Sequence, residues 1–271
     1  MYLCPVRGCR LPLTQADRSW VCPSRHRFDV ARSGYVNLLQ PQDRRSRHPG
    51  DTVEMVRARQ SLHATGATQP MLDAIETIAV PTAADIVLDV GCGDGYYLGT
   101  LAERTGCLAY GTDISASAID AAARRYPDCA WSVANADRFL PYADAAFSLV
   151  LSITARHNPQ EFRRVLKDDG RLLVAVPAPE DLKQIRGGEA AEPGRDRTAR
   201  ILEDFGSTFE CTTQRRVTTE ATLTPDQVKQ VRTLVYRPRG NLPAEPIPVT
   251  FSLDWMLFRP RAGHPAKSDK S

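Results

Sequence analysis

Two groups of residues in this chain have the types and spacing to do chemistry. The first is Asp89-Val90-Gly91-Cys92-Gly93-Asp94-Gly95-Tyr96, in which three glycines alternate at the end of an apolar run. Glycine lets the backbone approach a ligand closely and adopt angles closed to other residues. Such loops at the carboxyl end of the first strand cradle cofactors in Rossmann-like sheets. The spacing G-x-G-x-G departs from the dinucleotide fingerprint, and Asp89 would repel a diphosphate. A cationic ligand, bearing an amino group or a sulfonium, suits that acid better. Eighteen residues past Gly95 stands Asp113, followed by Ile114; an acid there accepts hydrogen bonds from both ribose hydroxyls. Asn135-Ala136-Asp137 follows the next strand candidate, where an amide or a carboxylate can read an adenine amino group. The plainer alternative is that Asp113 and Asp137 merely cap the helices after them.

The second group is Cys4-x4-Cys9 and Cys22-x3-His26, joined by a twelve-residue connection. These spacings fit a tetrahedral zinc ribbon, and four ligands close the shell, so the metal would be structural rather than catalytic. Zinc would also staple about 40 residues too poor in apolar groups to fold alone. The alternative is unliganded thiols with His26 incidental. Residues 1–48 hold nine arginines against three acids, a net +6 inside a chain whose net charge is +3. Arginine is the side chain best suited to bidentate phosphate contact, so nucleic acid is the expected partner, with Arg44, Arg45 and Arg47 as candidate RNA-binding residues. A solvated basic surface without a partner is the bland reading of the same charge.

These groups need elements to position them. The 271 residues, 42% hydrophobic and 25% charged, suit a globular domain with a small appendage. No apolar run nears the ~20 residues of a membrane span, no signal core opens the chain, and seven cysteines, four of them scattered, favour a reducing cytoplasm over a disulfide framework. Four segments are expected: a zinc-binding ribbon over 1–40, a basic loop and linking helices over 41–80, the main domain over 81–260, and a disordered tail over 261–271. In the linking segment, helices are predicted over 52–62, with Asp51 as N-cap, and over 69–79. In the main domain, strands are predicted over 86–90, 108–112, 130–133, 147–153 and 171–176, with helices over 96–104, 116–125 and 160–167 between them. A helix over 196–205, a long strand over 209–223, a helix after Thr224-Pro225 and a last strand over 248–258 follow. This is a doubly wound α/β pattern whose two late strands, separated by a helix, match the seven-strand sheet of class I methyltransferases with its closing hairpin.

The run Cys22-Pro-x-x-His26-x-Phe28-Asp29, then Gly34-Tyr35-Val36-Asn37-Leu38-Leu39, then Arg45-Ser46-Arg47-x-Pro49-Gly50-Asp51, strongly resembles the bacterial 23S rRNA (guanine-N1)-methyltransferases. The Gly91–Tyr97 stretch and Ala123-Arg124-Arg125-Tyr126-Pro127 continue the likeness. The resemblance is strong to about residue 130, moderate to about 180, and rests on strand pattern beyond. It implies S-adenosylmethionine as cofactor, held by the glycine loop and Asp113, structural Zn2+ on Cys4, Cys9, Cys22 and His26, a ribosomal RNA hairpin as substrate, and a homodimer. The chain departs from the family in its C-x4-C pair, commonly C-x2-C. Thr68, a candidate cofactor-binding position, stands where the family tends to have Tyr. Asp181 lies where a His is expected, and a tryptophan-bearing segment near 230–240 is missing.

For methyl transfer to guanine N1, the base must leave its stack and lose a proton. His157 is the candidate proton acceptor in the 152–159 loop; a surface histidine without a role is the alternative. Asn158-Pro159 is expected to start a helix rather than to act on substrate. Two other functions stay open at this point: a small-molecule methyltransferase, which needs an apolar acceptor pocket, and a non-catalytic protein that binds cofactor and RNA.

Overall fold

The computed structural model describes residues 1–44, 49–186, 197–235 and 238–261. Arg45, Arg47, residue 196 and the tail from 262 onward lie outside them.

The chain opens with a three-stranded antiparallel ribbon, β1 (Thr14–Ala16), β2 (Ser19–Val21) and β3 (Arg27–Asp29). A two-residue strand follows, β4 (Val36–Asn37). Helices α1 (Val53–Ala64) and α2 (Gln69–Ala79) lead into the domain core. There β5 (Ile86–Val90), α3 (Tyr96–Thr105), β6 (Leu108–Asp113), α4 (Ala116–Arg125) and β7 (Ala130–Val133) alternate. Next come β8 (Phe147–Ile153), α5 (Pro159–Val165), β9 (Leu166–Pro177) and α6 (Lys183–Arg186). The chain ends with α7 (Arg197–Phe205), β10 (Phe209–Leu223), α8 (Pro225–Thr233) and β11 (Ile247–Pro260).

Strand order in the large sheet is β10-β11-β9-β8-β5-β6-β7-β4. Strands β4 to β9 run parallel to their neighbours, and β11 is antiparallel to both β9 and β10. The parallel strands read as near-continuous apolar runs because helices cover both faces. One face buries Leu72, Ile75, Leu98 and Ile119 of the preceding helices against Leu149, Leu151 and Leu173. The other buries Phe162, Phe205, Phe209 and Phe258 with Phe147, each worth roughly 1.5–3 kcal/mol of transfer free energy.

Two features differ from the sequence expectation. Val36 and Asn37 pair in parallel with Ser132 and Val133 of β7, so an eighth strand comes from the stretch assigned to the ribbon; two residues carry no period from which a strand could be predicted. The ribbon also shares the second core, with Tyr2, Leu13 and Phe28 buried alongside Tyr142 and Phe147. Three corrections concern ends. The cap of α1 is Thr52, whose hydroxyl accepts from Met55 N at 3.3 Å, because the Asp51 carboxylate is drawn to Arg59 instead. Strand β9 starts at Leu166, where a helix end was expected. Arg261 is not loose: its N–H donates to Thr208 O and its Nε to Gly206 O, both at 3.0 Å. The Asn158 start of α5 stands as expected, its Oδ1 accepting from Glu161 N at 3.2 Å, and Thr224 with Gln227 forms a full capping box on α8.

Candidate functional site

The carboxyl ends of β5, β6, β7 and β8 open onto a cleft of about 540 Å³. Topology requires this, since helices that cross over parallel strands on opposite faces part company at those ends. Gly91 and Gly93 line the cleft with Asp113 and Ile114 from the end of β6, and Asn135, Ala136 and Asp137 from the end of β7. Gly91 has φ +79°, and a Cβ there would sit 2.4 Å from Ala155 Cβ of the loop after β8. No other residue fits.

Asp113 ties the two strand ends together. Its Oδ2 accepts from Gly93 N at 3.0 Å and its Oδ1 from Ser115 N at 2.8 Å. The cap of α4 is Ser115, which accepts from Ala118 N, so capping does not account for Asp113. Asn135 spends both ends of its amide on the protein, Nδ2 donating to Asp43 O and Oδ1 accepting from Asp137 N. The Asp137 carboxylate faces Arg156 at 3.1 Å.

Other predicted positions lie behind the cleft wall rather than on it. Asp89 is buried, its Oδ1 without a partner, and burial, with Asp113 nearby, pushes its carboxyl up to about 8. Cys92 turns toward the sheet, where a Cβ on Gly111 would meet its Sγ at 3.0 Å. Asp94 is buried with Oδ1 3.7 Å from His63 Nε2, and Gly95 begins α3 as its cap residue. Tyr96 stacks on His63 at 3.9 Å between ring centroids. Thr68 does not line the cleft; its hydroxyl meets His63 Nδ1 at 2.8 Å. Burial, reinforced by Arg59 and Arg125, lowers His63 to about 3, so this imidazole is neutral. Asp181, at another family departure, is buried and accepts from Ser252 N at 3.0 Å, a structural tie to β11.

Sequence reasoning missed the strap 49–51 and Arg59. Gly50 presses against Ser115, to which an added Cβ would come within 2.7 Å, and Ser115 Oγ donates to Asp51 O at 2.7 Å. Pro49, Gly50, Asp51 and Arg59 line the cleft opposite the glycine loop. Only the Pro49-Gly50 turn signal could have hinted at a close approach.

His157 does not face the cleft itself. It lines an adjoining cavity of about 600 Å³, which shares Asp137, Thr154, Ala155 and Arg156 with the cleft. Its ring packs edge-on to Phe205 with Nε2 buried and unpartnered. Burial lowers its pKa to about 4, against a small opposing effect of Asp204. The ring is thus half-buried at the cavity wall rather than free on the surface.

In the ribbon, Cys4, Cys9, Cys22 and His26 converge, their ligand atoms all within 4.8 Å of one another. Sγ of Cys4 and of Cys22 each lie 3.4 Å from His26 Nδ1, and Cys9 and Cys22 sulfurs are 3.8 Å apart. A zinc tetrahedron has S···S edges of about 3.8 Å and S···N edges of about 3.5 Å. The donor set fits zinc, which His26 would ligate through Nδ1.

Comparison with known proteins decides the family. Residues 2–47 match the family model described as RlmA, N-terminal, a zinc ribbon, and residues 87–173 match a methyltransferase domain. The 23S rRNA (guanine(748)-N(1))-methyltransferase of Streptomyces fradiae is 34% identical over 237 residues, covering 84% of this chain and 82% of that protein. The chain belongs to the 23S rRNA (guanine-N1)-methyltransferase family. A Micromonospora griseorubida protein proposed to be a 23S rRNA (guanine-N1)-methyltransferase is 36% identical over 231 residues, 76% of each chain. Among solved structures, one described as conversion of a disulfide bond into a thioacetal group during echinomycin biosynthesis matches with a TM-score of 0.52 at 16% identity, covering 74% of this chain and 85% of that one. That likeness concerns the fold, the class I S-adenosylmethionine-dependent sheet expected from the strand pattern. Among the described residues no helix is long and apolar enough to cross a membrane.

Two outcomes follow from this geometry. Cys22→Ser should drop zinc, read by elemental analysis, from about one per chain to well below it. Because the ribbon shares a core with the sheet, the same variant should lower the melting temperature of the whole chain; an unchanged transition would refute that coupling. Asp89 is held protonated in the ligand-free fold, so the stabilisation it confers is complete below the unfolded carboxyl's range and is lost as pH rises through about 8. Urea midpoints of the ligand-free protein should fall from about pH 6 to about pH 9, and Asp89→Asn should flatten that slope.

Proposed function

We propose that this chain transfers a methyl group from S-adenosylmethionine to N1 of a guanine in 23S ribosomal RNA. The observation that carries the proposal is the pair of adjoining cavities. The cleft over the glycine loop is walled by acids suited to a cationic nucleoside, and the second cavity opens from its Thr154–Arg156 edge. S-adenosylmethionine supplies an electrophilic methyl on a positive sulfur. Asp113 would hold the ribose, and the Asn135–Asp137 loop would border the adenine. Asp89 would lie beneath the positive end of the ligand, in a medium of low polarity where opposite charges attract strongly.

A guanine entering the second cavity would meet His157, whose burial keeps it neutral and whose Nε2 has no competing partner. That is the state in which an imidazole accepts a proton from N1. In-line transfer otherwise asks only for positioning of donor and acceptor. Arg156, Arg197, Arg200 and Asp204 also line this cavity, a polar wall that disfavours a quinone or other apolar acceptor.

The RNA would reach the site along the ribbon. Arg7, Arg10, Arg18, Arg25, Arg27, Arg32 and Arg44 are all exposed. Arg138, paired with Asp43, has its pKa lowered by burial and then by Arg7 and Arg10, so positive charge gathers around the residue that follows the cleft-lining Asp137. The Arg10 guanidinium sits 4.8 Å over the Phe139 ring. Exposed arginines of this kind would hold phosphates without reading sequence.

Radiolabelled methyl transfer to 23S rRNA from cells lacking this protein, with primer extension across the product, tests the proposal. A single new stop at a guanine is expected, since a methyl on N1 blocks pairing; no label in RNA would defeat it. Arg7/Arg10/Arg44→Ala should weaken binding of an rRNA hairpin and reduce the slope of log affinity against log salt by about 2 to 3. An unchanged slope would remove these arginines from the interface.

A further inference from the structure

The cofactor expected in the cleft is a zwitterion. Its adenosine and its cationic groups have candidate partners in Asp113, the Asn135–Asp137 loop and Asp89, but its carboxylate has none among them. A carboxylate arriving over the glycine loop would meet Asp113 on the cleft wall, with Asp89 and Asp94 buried behind it. It needs a cation there. Two cations line the cleft among the described residues, Arg59 and Arg156. Arg156 is engaged with Asp137 at the far end, beside the adenine-side loop.

Arg59 stands at the other end. It rises from the middle of α1, and its Nη1 lies 3.6 Å from where a Cβ on Gly93 would be. Its Nη2 donates to Asp51 Oδ2 at 2.5 Å, which fixes the plane of the guanidinium. Its Nε is buried and has no acceptor. A buried guanidinium N–H without a partner is an open position for an anion, and the fork geometry matches a carboxylate. The same charge acts on the neighbouring groups: it pulls down the carboxyls of Asp94 and Asp113 against their burial, and it adds to the depression of His63.

We infer that Arg59 binds the carboxylate of the amino-acid part of the cofactor, with Asp51 of the strap orienting its guanidinium. The inference rests on the cofactor reading above and adds the residue that would distinguish the whole cofactor from its decarboxylated form. It also gives the strap a purpose: Asp51 is placed by the Ser115 Oγ bond to its carbonyl, so the ribose-side and amino-acid-side contacts of the cleft are set by one short segment.

Calorimetric titration of the full-length, zinc-loaded protein with S-adenosylhomocysteine and with its decarboxylated analogue tests this. The analogue keeps the nucleoside, the sulfur and the amino group. Wild type should prefer S-adenosylhomocysteine by about tenfold to 100-fold. Arg59→Gln should erase most of that preference while leaving affinity for the analogue within about twofold, as a coupling cycle requires. Arg59→Lys should retain part of it. Arg59→Met, which keeps the aliphatic stem, serves if the glutamine variant does not fold. Equal weakening of both ligands would mean that Arg59 only shapes the cleft, and an unchanged preference would mean that it does not touch the carboxylate; either overturns the inference. Failure of wild type to bind either ligand would instead overturn the cofactor reading.

Discussion

Buried carboxylates at the ends of parallel strands are the constraint around which this molecule is arranged. Asp89 stands near the end of β5, Asp94 in the turn into α3 and Asp113 at the tip of β6, each pushed toward its neutral form by desolvation. Unpaired ionised groups in such surroundings are expensive. The fold answers with backbone donors to Asp113, the Arg59 guanidinium nearby, and a shortage of partners at Asp89 that a cationic ligand can make good. An apolar core could not fill that place without closing the cleft.

The surrounding structure serves to hold those strand ends in register. The Asp113 bonds lock the glycine loop to β6, and Trp131 of β7 is buried beneath both Gly95 and Gly111. On the far side, Arg164 donates from its guanidinium to the carbonyls of Leu140 and Tyr142, at 2.7 Å each, while Asn158 Nδ2 donates to Asp137 O at 3.1 Å. The start of α5 and the loop after β7 are thereby stitched into one wall. Asp137, held in that wall, lines both the cleft and the cavity beside His157.

The ribbon is part of the same object. Its Tyr2 ring meets Tyr142 and Tyr110 edge-on or tilted, at 5.4 and 6.4 Å, and its trailing strand completes the sheet beside β7. A metal ordering the first 30 residues would therefore also brace β4 against β7, the strand that Asn135 and Asp137 follow. Charge follows the same path, from the exposed arginines of the ribbon to Arg138, next in the chain to the cleft-lining Asp137.

What the sequence by itself determined is local in origin. The glycine loop, the acid after the second strand, the Cys/His pairs, the caps Asn158 and Thr224 and most strand limits depend on neighbours within a few residues or on a period of two or 3.6, so the residues alone disclose them. Tertiary structure decided what depends on distant partners. Thr68 faces His63 and not the cleft; Asp51 leaves its helix cap for Arg59; Val36 and Asn37 become a strand only because β7 offers a free edge; and His157 acquires a second cavity because Phe205, 48 positions later in the chain, packs against its ring. None of these pairings leaves a periodic trace, because the energy of each is set by burial and by a partner that chain order does not reveal.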